Sequence, residues 1–289
     1  MSTPSIRARS WLFTPATRPD RFAKASEAGA DVAILDLEDA VAPKDKAEAR
    51  KTALEYLAGS PADGVLHALR VNGLDTRAGI SDLDALLGSS AAPDFLVLPK
   101  TEAAGHLKIL DRLLTAAGKA TRLIGLIESA HGLAAVEAIA TATPRLAGLM
   151  LGAADMAADL GSATAWEPLA FARGRLIAAC ALAGVTPIDA PFFDLRDEAG
   201  LKQEVAAAVA LGFAAKAAIH PAQIGAINAA LTPSAEAVEK ARAILAENAK
   251  GVGTVDGQMI DEAIARKARR TLAAAGARLE PTADFSIPP

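Results

Sequence analysis

The fold is indicated most clearly by residues 123–155, which read LIGLIESAHGLAAVEAIATATPRLAGLMLGAAD. An apolar run ends at Glu128, an Ala-rich segment with helical spacing follows, and a second apolar run leads to Asp155. Short apolar runs separated by a helical segment are typical of parallel strands joined by a crossover helix. We therefore predict a strand–helix–strand unit in which an acidic side chain ends each strand.

The same unit recurs along the chain. The candidate strands are Ser10–Pro15, Asp31–Asp39, Leu66–Asn72, Phe95–Lys100, Leu123–Glu128, Ala147–Asp155, Thr186–Pro191 and Lys216–Pro221. Eight strands alternating with helices favour an α/β fold of the (β/α)₈ or TIM-barrel type. An open doubly wound sheet is the alternative, but LFTPATRP after the first strand lacks the glycines of a dinucleotide-binding fingerprint.

Amphipathic segments separate the strands. Examples are Glu102–Ala117, Gly132–Ala142, Glu167–Ala183 and Glu198–Leu211. Gly29, Gly118, Gly184 and Gly212 follow helical segments and precede strands, as expected for helix ends in the left-handed conformation. We therefore place the barrel at residues 1–231.

The remaining residues exceed what eight strand–helix units require. We predict a helical lid over residues 232–280, with no second core, and a disordered tail over residues 281–289. The lid contains a helix that begins at Thr232-Pro233, the Gly-rich loop GVGTVDGQM and a last helix over Asp261–Ala275.

Composition excludes several classes of protein. Net charge is −4, which gives no electrostatic case for nucleic-acid binding. One cysteine, Cys180, and four scattered histidines exclude a disulfide framework and a Cys/His zinc cluster. The longest apolar stretch has about a dozen residues, against roughly 18 for a membrane helix. With no apolar signal segment at the N-terminus, we expect no membrane contact and a cytoplasmic location.

Polar residues collect where the predicted strands end, and in a (β/α)₈ barrel the C-terminal ends of the strands form the active site. These residues are Asp36, Glu38, Asp39, Arg70, Asn72, Lys100, Glu128, Asp155, Asp189 and His220. Several carboxylates that converge on one cleft call for a cation, and oxygen ligands of this kind suit Mg²⁺. Glu128 and Asp155 form the sharpest pair.

Each of these side chains also has a structural interpretation. Glu128 and Asp155 could cap the helices that follow them. In the DLED segment, strand alternation would send Asp36 and Glu38 to one side and Asp39 to the other. Arg70 could bind a substrate carboxylate or hold a structural network with that segment.

Four further groups have open roles. His220 could act as an acid–base group or, as we prefer, hold its loop by hydrogen bonds. Lys100 offers a Schiff-base route that we disfavour, and Lys216 is either structural or directed into the barrel. A basic cluster of Arg18, Arg21 and Lys24 could bind phosphate or form a solvated face.

An ordered set of motifs resembles the citrate lyase β-subunit-like family. The segments are RSWLFTPATRPDRFAKA, ADVAILDLEDAVAPKDKAEAR, RVNG, LPKTEAA, LIESAHGL, LGAADMAADLG, GFAAKAAIHPAQI and GQMID, between about residues 9 and 262. This family includes the citryl-acyl-carrier lyase subunit and the malyl-CoA, β-methylmalyl-CoA and citramalyl-CoA lyases. Two departures are Ala154, where an acidic residue is common, and TPAT, where glycine is usual.

The resemblance implies a TIM barrel, Mg²⁺ and a CoA thioester. It makes Glu128 and Asp155 the metal ligands, Arg70 the substrate-binding arginine, and Asp261 a residue that completes the site of a neighbouring subunit. With the strand-end pattern, it gives a predicted site whose catalytic residues are Arg70, Asp261 and Glu38. The predicted substrate- and CoA-binding residues are Arg70, Phe13, Pro15, Arg18, Lys24, Asp36 and Pro191.

The resulting hypothesis is a Mg²⁺-dependent carbon–carbon lyase. It would cleave, or form, a 3-hydroxyacyl-CoA thioester of the malyl, citramalyl or citryl type, with a 2-oxo acid and an acyl-CoA as products. We expect a homotrimer or a dimer of trimers. The alternatives are a Mg²⁺-dependent aldolase for free 2-oxo acids, a thioesterase on the same scaffold, and a non-catalytic subunit.

Overall fold

The computed structural model describes residues 8–59, 64–249, 253–255 and 258–276. Eight parallel strands close into a barrel in which each strand pairs with its neighbours in sequence and β1 also pairs with β8. The strands are β1 (Ser10–Pro15), β2 (Val32–Asp36), β3 (Leu66–Arg70), β4 (Phe95–Leu98), β5 (Arg122–Ile127), β6 (Leu146–Leu151), β7 (Thr186–Asp189) and β8 (Ala215–Ala218). The (β/α)₈ prediction is confirmed.

Helices follow the strands around the barrel. They are α1 (Lys24–Glu27), α2 (Lys46–Ala58), α3 (Arg77–Gly88), α4 (Ala104–Ala116), α5 (Ala130–Ala134), α6 (Val136–Ala140), α7 (Ala153–Leu160), α8 (Ala170–Ala183), α9 (Glu198–Leu211) and α10 (Ile224–Leu231). Gly29, Gly118, Gly184 and Gly212 have positive φ angles, as the helix-end prediction requires. The one helix expected over Gly132–Ala142 is two short helices, because Ala135 leaves the helical conformation at φ −102° and ψ 7°.

The two faces of each strand bury different partners. Val32 and Ile34 of β2 pack inside the barrel with Trp11 and Phe95, whose rings lie 5.0 Å apart. Leu35 and other alternate residues pack outward, against the surrounding helices. Because alternate side chains point to opposite faces of a strand, the last interior position of each strand faces the barrel mouth.

The strand-end expectations for Asp155 and Asp189 were wrong, and Lys216, whose role the sequence left open, is structural. β6 ends at Leu151, and Asp155 lies in the first turn of α7. Asp189 and Lys216 point outward, where Lys216 Nζ lies 2.6 Å from Asp189 Oδ2 and 2.8 Å from Glu204 Oε1. Their neighbours Ile188 and Ala217 fill the barrel interior, so alternation places both charges among the helices.

The chain divides into two compact units, Met1–Ala229 and Ala230–Pro289. The described part of the second unit contains α11 (Ala235–Asn248), a hairpin of β9 (Gly253–Val255) and β10 (Gln258–Ile260), and α12 (Glu262–Ala274).

The structure of this unit differs from three of our expectations. Pro233 precedes the Ser234 cap of α11 and is not in its first turn, and the Gly-rich loop contains the hairpin. α11 and α12 also share a small apolar cluster around Ala241, Ala268 and Leu272, although we expected no second core. The predicted tail, residues 281–289, lies outside the described residues.

Among the helices of the described residues, none is long and apolar enough to span a membrane.

Candidate active site

Strand alternation brings five of the predicted residues to the barrel mouth. Asp36 and Arg70 are register partners at the ends of β2 and β3, and Pro15 at the end of β1 pairs with Asp36. The guanidinium of Arg70 lies 4.8 Å from the centre of the Phe13 ring. Glu128 follows β5 directly and is buried. These side chains face one cleft because each occupies the interior face of its strand.

Arg70 is the centre of a buried ion-pair network. Its Nε and Nη2 donate to the two carboxylate oxygens of Asp36 at 2.7 and 2.6 Å. Burial by itself would lower the pKa of Arg70, but the hydrogen bonds to Asp36 and the nearby acidic charges outweigh it and raise that pKa. A guanidinium has five N–H groups, so Arg70 keeps donors for a ligand beyond those that hold Asp36. The structural network and a substrate role are therefore compatible.

Glu38 lies between two cations. Its Oε2 is 2.8 Å from Arg70 Nη1, without hydrogen-bond geometry, and its Oε1 is 3.4 Å from Lys100 Nζ. Burial raises the pKa of Glu38 to about 7, although the charge of Arg70 opposes that shift. Exposed Asp39 lies 3.8 Å from Arg70 Nη1, so the expected alternation of the DLED segment stops with the end of β2 at Asp36.

A second network, which the sequence analysis missed, fixes the DLED segment. Lys46 Nζ donates to the carbonyls of Leu37 and Glu38, both at 2.9 Å, and to Asn72 Oδ1. Asn72 donates through Nδ2 to Asp82 Oδ2 at 2.6 Å. Lys46 and Asp82 lie on helices that follow β2 and β3, and the single weak signal for Lys46 is its place in the DKAEAR motif.

Glu128 is held by main chain on two sides. Its Oε1 accepts the N–H of Lys100 at 2.7 Å. On the other side lies Gly152, where an added Cβ would stand 2.5 Å from both Cβ and Oε2 of Glu128. Burial and the charge of Glu38 raise the pKa of Glu128 to about 8, against the Lys100 N–H, and the charge of Asp155 adds to the rise.

Lys100 has the one positive φ of a non-glycine residue among those described, 48°. A left-handed conformation costs a residue with a side chain about 1–2 kcal/mol. Its N–H and the N–H of Thr101 both donate toward β5, the second to the Leu126 carbonyl at 3.1 Å. Consecutive N–H groups point to opposite sides of an extended strand, so the left-handed residue lets both serve β5.

Two carboxylates at this mouth fit Mg²⁺. Exposed Asp155 stands in the first turn of α7, close enough for its charge to raise the pKa of Glu128. No group of three or more His, Cys, Asp or Glu forms a metal cluster by itself within the described ranges. Mg²⁺ is commonly bound by one or two carboxylates together with water and substrate oxygens, so Glu128 and Asp155 suffice.

The other predicted CoA-binding residues lie in the segments that follow the C-terminal ends of β1 and β7. Arg18 is exposed and pairs with Asp20 at 2.8 Å. Lys24 is exposed at the start of the four-residue helix α1, with no ion pair to another described residue. Pro191 is half-buried and lines a cavity of about 240 Å³ after β7. No hydrogen bond or ion pair joins these described side chains to Arg70 or Glu128.

Asp261 belongs to the second unit. Its exposed carboxylate caps α12, because Oδ1 accepts the N–H of Ile264 at 2.8 Å. Helix capping is thus the structural alternative to a catalytic role for Asp261.

The remaining candidates have structural surroundings. His220 Nδ1 accepts the N–H of Ala222 at 3.2 Å, in a reciprocal cap with Gln223, as we preferred. Cys180 is buried in α8, and burial raises the pKa of its thiol to about 12. His220 therefore stabilises its loop, and Cys180 is a packed residue of α8.

Comparison with known proteins identifies the family. Residues 9–221 match the description HpcH/HpaI aldolase/citrate lyase. This chain belongs to the HpcH/HpaI aldolase/citrate lyase family. The L-malyl-CoA/beta-methylmalyl-CoA lyase of Rhodobacter capsulatus is 38% identical to this chain, and the alignment covers 92% of this chain and 93% of that protein.

Similar solved structures support the family assignment. RipC from Yersinia pestis is 58% identical with a TM-score of 0.71, covering 79% of this chain and 97% of that chain. CitE from Mycobacterium tuberculosis, solved with magnesium, acetoacetate and coenzyme A, is 35% identical with a TM-score of 0.78. It covers 94% of this chain and 100% of its own.

Proposed function

We propose that this protein is a Mg²⁺-dependent carbon–carbon lyase that cleaves or forms a 3-hydroxyacyl-CoA thioester. The products of cleavage would be a 2-oxo acid and an acyl-CoA, with substrates of the malyl, citramalyl or citryl type. The observation that carries the proposal is the pair Glu128 and Asp155 at the mouth of the barrel, beside the cation Arg70. Relatives named as CoA-thioester lyases over 92% of the chain support it.

Glu128 and Asp155 would hold the metal. A Mg²⁺ held there would supply Lewis-acid stabilisation to oxygen atoms of the substrate. Arg70 has N–H donors left after binding Asp36. These donors can stabilise, by hydrogen bonding, the negative charge that develops on the thioester fragment. Phe13 supports the guanidinium from below, so Arg70 keeps its direction.

Glu38 is suited to proton transfer near neutrality. Its pKa of about 7 allows both protonation states at cellular pH, and its Oε2 has no hydrogen-bond partner. Asp261, supplied by the adjacent subunit of a trimer or dimer of trimers, would exchange the proton of the acyl carbon. Lys24 and Arg18 would bind the CoA phosphates.

The decisive experiment is a panel of malyl-, β-methylmalyl-, citramalyl- and citryl-CoA assayed with Mg²⁺. Released 2-oxo acid and released CoA are measured separately. Lewis-acid stabilisation is worth several kcal/mol, so Glu128→Ala and Asp155→Ala should each lose at least about 100-fold in turnover.

Glu198→Ala is the matched control, because Glu198 is an exposed carboxylate paired with Lys202 on α9. Full activity in either ligand variant or in chelator would refute the metal assignment. Equal turnover of free hydroxy acids would replace the CoA lyase with a free-acid aldolase. Release of CoA from every thioester would identify a thioesterase.

A further inference from the structure

We infer that the left-handed peptide of Lys100 is the positioning element that directs Glu128 toward its cation, so that Lys100 acts through its main chain. The inference rests on the proposed metal site and assigns a role to a residue outside the ligand pair. It begins from the hydrogen bond of 2.7 Å between Lys100 N–H and Glu128 Oε1.

That hydrogen bond decides which oxygen of Glu128 is available. Oε1 is occupied by the N–H, and Oε2 faces Gly152 at the start of α7, the helix whose first turn carries Asp155. A carboxylate with one oxygen fixed by a neighbouring donor presents the other oxygen in a defined direction. Partners of this kind orient metal ligands and strengthen metal binding.

The turn at Lys100 is held from several sides. Thr101 Oγ1 donates to the Leu98 carbonyl at 2.9 Å, and Thr101 N–H donates to the Leu126 carbonyl at 3.1 Å. These bonds anchor the turn to β4 and β5. A residue with φ of 48° persists only where its surroundings impose that conformation, and such residues concentrate at functional sites.

The side chain of Lys100 is separable from its peptide. Its ammonium is half-exposed and lies 3.4 Å from Glu38 Oε1, whereas its N–H donates to Glu128 Oε1. Replacing Lys100 therefore tests two different things, depending on whether the new residue changes the charge or the backbone conformation.

The experiment measures Mn²⁺ binding to the full-length protein by electron paramagnetic resonance. Lys100→Pro removes the N–H and fixes φ near −65°, and Lys100→Val keeps the N–H but disfavours a positive φ. Both variants should weaken Mn²⁺ binding by about 10-fold or more, the range found for lost partners of metal ligands. Lys100→Gly and Lys100→Met should stay within about 2-fold of the wild type, because neither raises the cost of the left-handed turn.

Lys100→Val keeps the test valid if Lys100→Pro does not fold. A folded Lys100→Val protein with wild-type affinity would overturn the inference, and so would a Lys100→Met protein weakened as much as Lys100→Val, since the charge would then be responsible.

A second readout does not depend on the metal. In [¹⁵N]lysine-labelled, metal-free protein the amide resonance of Lys100 should shift in Glu128→Ala and stay in place in Glu198→Ala. An unmoved resonance overturns the inference by itself. A wild-type protein that binds no Mn²⁺, or a Glu128→Ala protein that binds it normally, would instead refute the proposed metal site.

Discussion

At the scale of single residues, the site requires a residue without a side chain at position 152. Gly152 has an ordinary negative φ of −95°, so its glycine is not needed for a turn. It is needed because a Cβ would stand 2.5 Å from the Cβ of Glu128, and two backbone-fixed carbons cannot separate by changing a rotamer. The apposition of β5 and α7 at this point therefore requires glycine.

We predict that Gly152→Ala destabilises the protein by about 1–3 kcal/mol, the usual cost of overpacking, and weakens divalent-cation binding by about 10-fold. Urea denaturation and Mn²⁺ titration would measure the two effects. Gly105→Ala is the control, because an added Cβ on this helical glycine meets nothing within 4 Å. It should keep or slightly raise stability. Wild-type stability and affinity in Gly152→Ala would contradict the packing argument.

At the scale of elements, a buried ion network joins two strands to two helices. Asp189 of β7 accepts from Arg173 of α8 at 3.0 Å and from Lys216 of β8 at 2.6 Å. Lys216 also donates to Glu204 of α9 and to the Ala190 carbonyl, at 2.8 and 2.7 Å. The network therefore fixes the beginning of the loop that carries Pro191.

Breaking a buried pair leaves an uncompensated charge, so Lys216→Met should cost about 3–5 kcal/mol in the free energy of unfolding. The double variant Lys216→Met/Glu204→Met keeps the Arg173–Asp189 pair and should cost less than Lys216→Met alone. Lys202→Met removes an exposed pair with Glu198 and should cost less than about 1 kcal/mol. Equal losses in the free energy of unfolding for Lys216→Met and Lys202→Met would show that the buried network does not stabilise the protein more than an exposed ion pair does.

At the scale of the whole molecule, the open question is whether one subunit completes the site of another. Asp261 has two candidate roles, since it caps α12 and is the proposed acid–base group of the lid. Asparagine caps helices as well as aspartate does, whereas alanine costs about 1 kcal/mol. Asp261→Asn therefore separates the chemistry from the cap.

We predict that Asp261→Asn folds with wild-type stability but loses most activity, and that mixing it with inactive Glu128→Ala restores activity after subunit exchange. In a cyclic assembly with equal mixing, about a quarter of the sites would combine an intact metal pair with an intact Asp261. Thermal denaturation and turnover of the mixture measure both. A mixture that stays inactive would place Asp261 in its own subunit's site, and an active Asp261→Asn would leave only the cap.

The sequence by itself determined the barrel. Apolar runs spaced by amphipathic segments and helix-ending glycines specify alternating strands and helices locally, and eight such units leave few architectures. The interior positions at the strand ends, Asp36, Arg70 and Glu128, also followed from sequence. The reason is that strand alternation continues to the last residue of each strand.

Only the tertiary structure decided what lies beyond the strand ends. Asp155 lies in α7 and not in β6, because the end of a strand depends on pairing with its neighbours and not on its own residues. Asp189 points away from the mouth because the register of the closed barrel gives the interior position to Ile188. The left-handed turn of Lys100 and the need for glycine at residue 152 depend on atoms from β5, which are distant in sequence. A local pattern carries no record of such contacts, since they exist only once the barrel has closed.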